Sequence, residues 1–407
     1  MPGCNERPTE KLVKTAADIL GNPDYPAISY GGYREKTRAI EPTISQVKED
    51  MKILFAMGIR ILRTYNVQMP HTQNVLKAIK ELKKEDPNFE MYVMMGVWID
   101  CKNAWTGQEP NHEEESEQNA GEINRAVVLA KAYPDIVKII AVGNEAMVRW
   151  ATSYFVRPNV ILKWVNYLQG LKESGELPKD LWITSSDDFL SWGGGDSSYH
   201  TEDLEKLVKA VDYISMHTYP MHNSHYNPKF WVVPENEASL FDSGKIESAM
   251  QRSLLFAVKQ HDSVTNYMKS LGVNKPVHIG ETGWATVSND NYGTEGSRAA
   301  DEYKAGRYYE LIREWSNKQK VSCFYFEAFD EQWKDVANPL GSENHFGLIN
   351  LQGQAKYGIW DLVDDGIFEG LTRDGKPIIK TYNGNKEALM DDVLAPISYL
   401  ELDTSNH

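Results

Sequence analysis

The feature that most constrains the fold is a repeated alternation of short apolar, β-branched segments with stretches of helical periodicity. Such alternation is typical of βα units and predicts a parallel sheet. Eight strands alternating with helices predict an α/β fold closed as a single (β/α)8 TIM barrel, rather than an open doubly wound sheet. The predicted strands cover residues 27–30, 59–64, 90–97, 136–142, 182–185, 213–217, 277–280 and 322–326, and the predicted helices cover residues 43–57, 73–84, 121–132, 156–173, 201–210, 245–270 and 297–317.

The barrel pattern covers most of the 407 residues, so we expect one (β/α)8 domain over residues 25–366. Residues 1–24 form an N-terminal segment in this interpretation. Residues 367–407 form a C-terminal extension that packs on the barrel or pairs as a short strand. The connection after the sixth strand, with an insertion at 221–245, is long, and long loops at strand ends often carry function. The polar stretch 108–122 is expected to be a solvated loop.

Charge and motif content exclude several classes of partner. With 43 Lys and Arg against 58 Asp and Glu, the net charge is −15, which opposes binding to phosphate backbones and anionic lipid. No G-x-G-x-x-G opens a helix after the first strand, and Gly193-Gly194-Gly195 lacks the Lys-Ser/Thr of a phosphate loop. We therefore expect no nucleic-acid partner, no cofactor and, because long apolar runs are missing, no transmembrane segment.

The cysteine content bears on cellular location. Cys4, Cys101 and Cys323 are odd in number and lack a C-x-x-C pattern, so the sequence contains neither a disulfide framework nor a zinc motif. Gly3-Cys4-Asn5 resembles the junction of a bacterial lipoprotein, where a lipidated cysteine follows the cleaved signal. The alternative is an ordinary surface cysteine. Together with the function argued below, the resemblance predicts an extracellular, cell-surface or periplasmic location.

Two strand ends carry carboxylates where a barrel builds its active site. The fourth strand leads through Gly143 into Asn144-Glu145, and the seventh leads through Gly280 into Glu281. A single Glu at a strand end is most simply a structural ion pair. Two that face each other across a barrel mouth are what cleavage of a glycosidic bond needs, since one protonates the leaving oxygen and the other attacks the anomeric carbon. Asn144 is well placed to bind the 2-hydroxyl of the sugar.

Six motifs along the chain carry a family resemblance. The segments around Glu145 and Glu281 resemble the acid/base and nucleophile motifs of glycoside hydrolase family 17, the β-1,3-glucanases and β-1,3-glucanosyltransferases. The match covers roughly residues 28–360; the four motifs that contain Glu145, Glu281, Glu331 and Glu343 stand in the family's order, and the other two also fit. The six motifs are Gly143-Asn144-Glu145, Gly280-Glu281-Thr282-Gly283-Trp284, Phe329-Asp330-Glu331-Gln332-Trp333-Lys334, Glu343-Asn344-His345-Phe346-Gly347-Leu348, Arg63-Thr64-Tyr65 and Tyr219-Pro220.

The resemblance assigns roles to particular residues. It implies that Glu145 is the acid/base and Glu281 the nucleophile of a retaining double displacement. We expect Lys334 near Glu281 to keep that carboxylate ionised, while a more apolar setting raises the pKa of Glu145. The resemblance also implies a charged network of Glu331, Lys334 and Glu343, and the substrate-binding set is predicted to be Asn144, Arg63, Tyr65, Tyr219, Trp284, Glu331, Lys334 and Glu343.

Aromatic residues and histidines leave two further alternatives. Tryptophans that follow strands are candidate sugar platforms, with core packing as the alternative for each, and Trp284 is the preferred candidate because it adjoins Glu281. The platform candidates are Trp98, Trp105, Trp150, Trp192, Trp231, Trp284 and Trp333. His217, His222 and His225 form a loose cluster whose spacing matches no standard metal site, so we predict no metal.

The leading hypothesis is a monomeric, retaining endo-β-1,3-glucanase that acts on laminarin-like β-1,3-glucan. A transglycosylase of the same family would use the same two glutamates and hand the glycosyl group to a sugar instead of water. A non-catalytic glucan-binding barrel is disfavoured because a binding protein has no need for two ionisable groups in its mouth. A β-1,4-glycosidase is disfavoured by the strand-eight motif with Glu331, Lys334 and Glu343.

Overall fold

A computed structural model describes residues 14–399 and 401 of the chain. Eight parallel strands close into a barrel in which each strand pairs with its neighbours in sequence and the last pairs with the first. The predicted (β/α)8 barrel is therefore confirmed. The strands are β1 (Ala27–Ser29), β2 (Ile61–Arg63), β3 (Tyr92–Val97), β4 (Val137–Asn144), β5 (Trp182–Asp188), β6 (Ile214–His217), β7 (Val277–Gly283) and β8 (Cys323–Phe326).

Helices follow the first seven strands, and local sequence sets where they begin. Thr43 and Gln46 form a capping box that starts the first helix, because each side chain bonds the other's backbone N–H. Pro70 and Pro158 stand at the first positions of two others, where a missing N–H costs nothing. The helices are α1 (Ile44–Ala56), α2 (Pro70–Glu85), α3 (Gln118–Ala132), α4 (Pro158–Glu173), α5 (Glu202–Ala210), α6 (Asp242–Ser270) and α7 (Glu302–Gln319).

Apolar side chains fill the barrel and cover the amino ends of its strands. Every residue of β3 and β7 is buried, as expected for strands covered on both faces. A short helix, Ala16–Ile19, brings Ala16, Ile19 and Leu20 against barrel-interior side chains at the amino end of the strands. Because the amino ends of the strands are covered by apolar residues, the charged side chains of a site can lie at the carboxyl ends.

The connections contain more regular structure than the sequence predicts. The stretch 108–122, expected to be a loop, contains the strand Asn111–Glu115, which pairs with Cys101–Lys102, and the start of α3. The long connection after β6 contains a helix, Pro220–Tyr226. The remaining short helices and turns are Leu190–Gly194, Ser197–Tyr199, Pro228–Phe230, Glu235–Glu237, Ser342–Asn344, Tyr357–Ile359, Trp360–Asp364, Thr381–Gly384 and Lys386–Asp391, and the remaining short strands are Gln354–Ala355, Thr372–Arg373, Lys376–Pro377 and Ile379–Lys380.

The C-terminal extension lies against the barrel. Arg373 donates to Asp50 of α1 at 3.0 Å, and Thr381 donates to Glu302 of α7 at 2.7 Å. The strand Ile379–Lys380 pairs with Gln354–Ala355, as one of the two expected arrangements requires. The domain boundaries at 24 and 366 stay predictions.

Two predictions concern membranes. Within residues 14–399 and 401, no helix combines the length and the apolar character needed to cross a bilayer. Cys4, on which the lipoprotein prediction rests, lies outside the described residues.

Candidate active site

Glu145 stands immediately after β4, at a sharp turn of the backbone. Gly143 has φ +86° and Glu145 has φ +47°, so two residues within three adopt left-handed conformations. A side chain at Gly143 would be strained by this φ and would bring its Cβ to 2.8 Å from that of Ala146. Glu145 is a non-glycine residue held in a left-handed conformation, which typically marks a functional position. Its N–H donates to the Ser186 carbonyl at 3.0 Å, which fixes the turn.

Glu281 lies within β7, and a glycine allows its neighbours to come close. A Cβ at Gly280 would overlap the hydroxyl oxygen of Ser215. Glu281 itself is only 7% exposed. One carboxylate oxygen of Glu281 and one of Glu145 lie within 4.8 Å of each other. The structure thus brings together the two carboxylates that the sequence predicts to meet.

Three donors surround the Glu281 carboxylate. Arg63 Nη1 donates to Oε2 at 2.6 Å and Tyr65 Oη donates to the same oxygen at 2.8 Å. Tyr219 Oη donates to Oε1 at 2.7 Å. Burial by itself would raise the pKa of Glu281, but the Arg63 guanidinium and these hydrogen bonds hold it below its ordinary value. Glu281 is therefore ionised at neutral pH.

Glu145 has the opposite environment. Its Oε1 lies 3.0 Å from His217 Nδ1, and no lysine or arginine of the described residues forms an ion pair with it. Burial and then the charge of Glu281 raise the pKa of Glu145 to about 8. Burial also lowers the pKa of His217 to about 4, so the imidazole is neutral above that pH. Its Nε2 lies 2.8 Å from Ser186 Oγ.

The predicted role of Lys334 near Glu281 is wrong. Its ammonium group instead forms an ion pair with Glu327 and lies 3.4 Å from Glu331. Glu327 and Glu331 are both buried, so the ammonium group of Lys334 is held by two buried carboxylates that follow β8. Arg63, from β2, provides the positive charge that was expected of Lys334.

The other members of the charged network differ in exposure. Glu331 accepts from the Tyr33 N–H at 2.9 Å and from Trp333 Nε1 at 3.1 Å. Glu343 is exposed, with one oxygen 3.8 Å from His222 Nε2. Glu331 is thus a fixed part of the wall, and Glu343 is a carboxylate open to the cleft.

Arg63 was predicted to bind substrate, but its contacts are internal. The side chain is 1% exposed and donates to Glu281, to the Gly280 carbonyl at 2.7 Å and to Asn144 Oδ1 at 2.5 Å. Arg63 therefore lies beneath the surface of the cleft, where it positions Glu281 and Asn144, and its side chain is not open to a sugar. Tyr65, Tyr219 and Asn144 are only half-buried and line the cleft.

The prediction that Trp284 is a sugar platform is also wrong. The indole is completely buried; its Nε1 donates to the Ala299 carbonyl at 2.8 Å and its ring packs against Tyr308 of α7. The side chain points between barrel and helix because it follows a β7 residue that faces the mouth. Trp192 and Trp231 are equally buried, whereas the cleft is lined by Trp98, Trp105, Trp150 and Trp333.

The cleft consists of two hollows that share Glu281, Phe326 and Glu343. We call the first, of about 810 Å³, the Glu145 half; it is also lined by Trp150, Asp188, Tyr219, His222, Tyr226 and Tyr292. We call the second, of about 650 Å³, the Trp98 half; it is also lined by Tyr33, Trp105, Asn144, Glu327, Glu331 and Trp333. A long ligand can therefore run across the barrel mouth past both carboxylates.

One cluster has the ligand types of a metal site. The ligand atoms of Glu145, His217 and Glu281 lie within 4.8 Å of one another. A cation fits poorly there, because the Arg63 guanidinium is 2.6 Å from Glu281 and both oxygens of that carboxylate already accept hydrogen bonds. His222, named in the looser cluster, stacks on Tyr219 with ring centroids 4.8 Å apart. The absence of a metal stays a prediction.

Sequence reasoning missed two functional contributors. His217 was considered only as a metal ligand, although its position as the last residue of β6, beside β7, was a signal that it faces the carboxylates. Glu327 was not singled out. It directly follows β8 and is buried beside Lys334, and burial raises its pKa well above the ordinary value although Lys334 opposes the shift.

Comparisons with known proteins agree with this geometry. A crystal structure of an endo-laminarinase from Formosa Hel1_33_131 is 66% identical in sequence, with a TM-score of 0.94, over 95% of this chain and 98% of that one. A glycoside hydrolase family 17 β-1,3-glucanosyltransferase from Rhizomucor miehei, 18% identical, shares the fold with a TM-score of 0.56 over 82% of this chain and 96% of that one.

Curated relatives and a family model extend the match. The glucan endo-1,3-beta-glucosidase btgC of Emericella nidulans is 23% identical over 332 residues, 78% of this chain and 42% of that protein. The chain spans about two fifths of the length of the first such relatives. The BtgE/BtgC glycoside hydrolase domain model matches residues 27–347. The resemblance to β-1,3-glucan-active glycoside hydrolases is confirmed, and the chain belongs to the BtgE/BtgC glycoside hydrolase family.

Proposed function

We propose that this protein is a retaining endo-β-1,3-glucanase that hydrolyses laminarin-like glucan. The observation that carries the proposal is the pair Glu145 and Glu281, whose carboxylate oxygens come within 4.8 Å and whose pKa values are shifted in opposite directions. Retaining glycosidases need their carboxyl groups about 5–5.5 Å apart, whereas inverting ones leave about 6.5–9.5 Å for a water. The similarity to an endo-laminarinase supports the substrate class.

In the first step the ionised Glu281 attacks the anomeric carbon and forms a covalent glycosyl ester. Glu145, protonated because burial raises its pKa to about 8, gives its proton to the departing glycosidic oxygen. The bond to the leaving sugar breaks as the bond to Glu281 forms. Since Glu145 must reach the leaving oxygen, the leaving part of the chain occupies the Glu145 half and the sugar that is attacked lies toward the Trp98 half.

In the second step Glu145, now ionised, takes a proton from water. The resulting hydroxide attacks the anomeric carbon from the side that the leaving sugar vacated, and Glu281 is released as a carboxylate. Two inversions give net retention. The hydrogen bonds from Tyr65, Tyr219 and Arg63 stabilise Glu281 as a leaving group in this step, because they favour its ionised form.

Substrate contacts follow from what faces the cleft. Asn144 Oδ1 accepts from Arg63, which leaves the amide N–H donors for a sugar hydroxyl such as the 2-hydroxyl. Glu331 and Lys334 lie in the wall of the Trp98 half and Glu343 stands at the junction of both halves, so their charged groups are suited to sugar hydroxyls. Aromatic rings such as Trp333 offer flat apolar faces to the sugar rings.

A β-1,3-glucanosyltransferase is the second candidate function. The observation that favours it is the aromatic lining of the Glu145 half, where Tyr219, His222, Tyr226 and Trp150 can hold an acceptor sugar against the glycosyl-enzyme. A non-catalytic glucan-binding barrel is disfavoured by the oppositely tuned carboxylates, which binding alone does not need.

Location and oligomeric state belong to the same proposal. We propose that the protein acts outside the cytoplasm, where β-1,3-glucan polymers are available, and that it acts as a monomer because one chain supplies both halves of the cleft. Fractionation of the native host and light scattering of the purified protein test these two statements.

The deciding experiment compares reducing-sugar release from β-1,3-, β-1,4- and mixed-linkage glucans. Hydrolysis confined to glucans with β-1,3 linkages supports the proposal, and preferential cleavage of β-1,4-glucan contradicts it. Product analysis on one short β-1,3-oligosaccharide then separates the two candidates, since products longer than the substrate require transfer to a sugar.

A further inference from the structure

An arm formed by residues 101–115 extends the wall of the Trp98 half. It leaves the barrel after β3, runs out through Cys101–Lys102, turns, and returns through Asn111–Glu115 to the start of α3. Trp105 lies at its turn and lines the cleft together with Trp98. The mechanism proposed above makes no use of this arm.

The arm is braced against the loop after β4 and against α4. The His112 ring stacks on Phe155 with centroids 3.6 Å apart, and its Nδ1 lies 2.8 Å from the Phe155 carbonyl. Arg157 forms an ion pair with Glu113 at 2.6 Å, and Trp164 Nε1 donates to Glu115 at 2.7 Å. Such anchoring at several points makes the arm a fixed part of the cleft wall rather than a free loop.

Trp105 occupies a position that packing alone does not explain. The side chain is 63% exposed, which is unfavourable for an indole, and its backbone has φ +61°, a left-handed conformation disfavoured for a bulky residue. One face of the ring stacks on Tyr154 with centroids 5.1 Å apart and planes 24° apart. Trp98 lies against the same tyrosine at 5.3 Å. The supported ring therefore has its other side available to a ligand.

We infer that Trp105, supported by Tyr154, is a binding platform for a glucosyl unit remote from the scissile bond, on the non-leaving side of a β-1,3-glucan chain. This inference rests on the proposed function. Glucose rings present apolar C–H faces that stack on aromatic rings, and a ring held rigid in advance loses little conformational entropy on binding. Only chains long enough to reach the arm gain from this contact, so Trp105 makes the enzyme favour long substrates.

The test measures kcat and KM of the wild type and of Trp105→Ala on laminari-oligosaccharides of increasing length. We expect the ratio of kcat/KM for the longest oligosaccharide to that for the shortest one cleaved to fall about ten-fold, as one lost stacking contact predicts. The change should lie mainly in KM. Trp105→Phe, which keeps a smaller ring, should give an intermediate ratio.

Phe241→Ala is the matched control, since Phe241 is 89% exposed and lines neither half of the cleft. Its length ratio should equal that of the wild type. If Trp105→Ala has the wild-type Tm and the wild-type length ratio, Trp105 is not a binding platform, although the proposed glucanase function stands. A wild type that cleaves no β-1,3-oligosaccharide contradicts the proposed function itself. If the alanine variant fails to fold, the phenylalanine variant decides by the same ratio.

Discussion

Glu145 and Glu281 are the same residue type on facing sides of one barrel mouth, yet their surroundings leave Glu145 protonated and neutral and Glu281 ionised at neutral pH. Glu281 accepts hydrogen bonds from Arg63, Tyr65 and Tyr219, while within residues 14–399 and 401 the Glu145 carboxyl is hydrogen-bonded to one side chain, the neutral ring of His217. Burial raises the pKa of both carboxyl groups, so burial does not account for the difference. The difference lies in the hydrogen-bond partners: Glu281 has a guanidinium and two hydroxyls, whereas Glu145 has one neutral imidazole.

The comparison also explains why the pair must be close. The negative charge of Glu281 is one of the causes that raise the pKa of Glu145 to about 8. In the proposed mechanism Glu281 becomes an uncharged ester in the covalent intermediate, so its negative charge disappears and the pKa of Glu145 falls. The acid of the first step thereby becomes a base for the second step without any movement of the protein.

The largest effect should come from removing Glu281. Glu281→Ala is expected to lower kcat on laminarin by at least about 10⁴-fold, because no covalent intermediate can form, while oligosaccharide binding persists. Kinetics and calorimetric binding check the two parts. With an activated donor, azide should yield the inverted glycosyl azide.

Glu343→Gln serves as its control, since Glu343 is another carboxylate of the cleft and, among the described residues, forms no hydrogen bond or ion pair with Glu281 or Glu145. It should retain far more activity than Glu281→Ala. Near-normal turnover by Glu281→Ala would remove Glu281 from the role proposed here.

The next effect concerns the acid. Glu145→Gln should reduce hydrolysis of laminarin by about 10²–10⁴-fold, since the leaving oxygen receives no proton. An aryl glycoside with a good leaving group needs no proton, so formation of the glycosyl-enzyme from it should survive. The wild-type rate should fall as pH rises through about 8, where Glu145 loses its proton, and this basic limb should be flat in the variant. A limb that persists in the variant would show that another group is the acid.

Removal of the hydroxyls that donate to Glu281 should have a smaller effect on activity, and the contrast with Glu145 predicts its direction. Tyr219→Phe and Tyr65→Phe each remove one hydrogen bond that favours the ionised carboxylate. The pKa of Glu281 should rise, so the acidic limb of kcat/KM should move up by about one pH unit and activity at low pH should fall. Tyr226→Phe, in the Glu145 half but without a contact to Glu281, should leave that limb in place. If the acidic limb of kcat/KM stayed in place in both Tyr219→Phe and Tyr65→Phe, these hydroxyls would not be what keeps Glu281 ionised.

The sequence predicts those parts of the site that depend on residues near each other in the chain better than those that depend on distant ones. The barrel follows from local periodicity, and Glu145 and Glu281 follow from their positions after glycines at strand ends. Long-range pairings were not predictable in this way. Lys334 and Arg63 are both basic residues near strand ends, and only the folded chain shows that Arg63 reaches Glu281 while Lys334 is held by Glu327.

The direction of a side chain is equally hard to read from a position after a strand. Trp284 and Trp105 both follow barrel strands, yet one is completely buried against α7 and the other is 63% exposed in the cleft. The arm that carries Trp105 is short and polar, so its two strands gave no alternating apolar signal. The sequence therefore identified the carboxyl end of the barrel but not which aromatic rings face substrate.

The smallest effect should come from His217, whose side chain is hydrogen-bonded to the Glu145 carboxyl. We assign the Nδ1–H tautomer to His217, in which Nδ1–H donates to Oε1 of Glu145 and Nε2 accepts from Ser186, because a donor on one carboxyl oxygen leaves the proton on the other free for the leaving sugar. His217→Ala should lower kcat about three- to ten-fold with little change in KM, because Glu145 loses its orientation rather than its proton. Without this donor the ionised form is less stabilised, and the basic limb should move to higher pH. His217→Asn, whose amide can reproduce the Nδ1–H donor, should recover most of the loss. A basic limb that instead moves to lower pH in His217→Ala would show that the imidazole accepts the proton of Glu145, and the arrangement argued for the acid would be reversed.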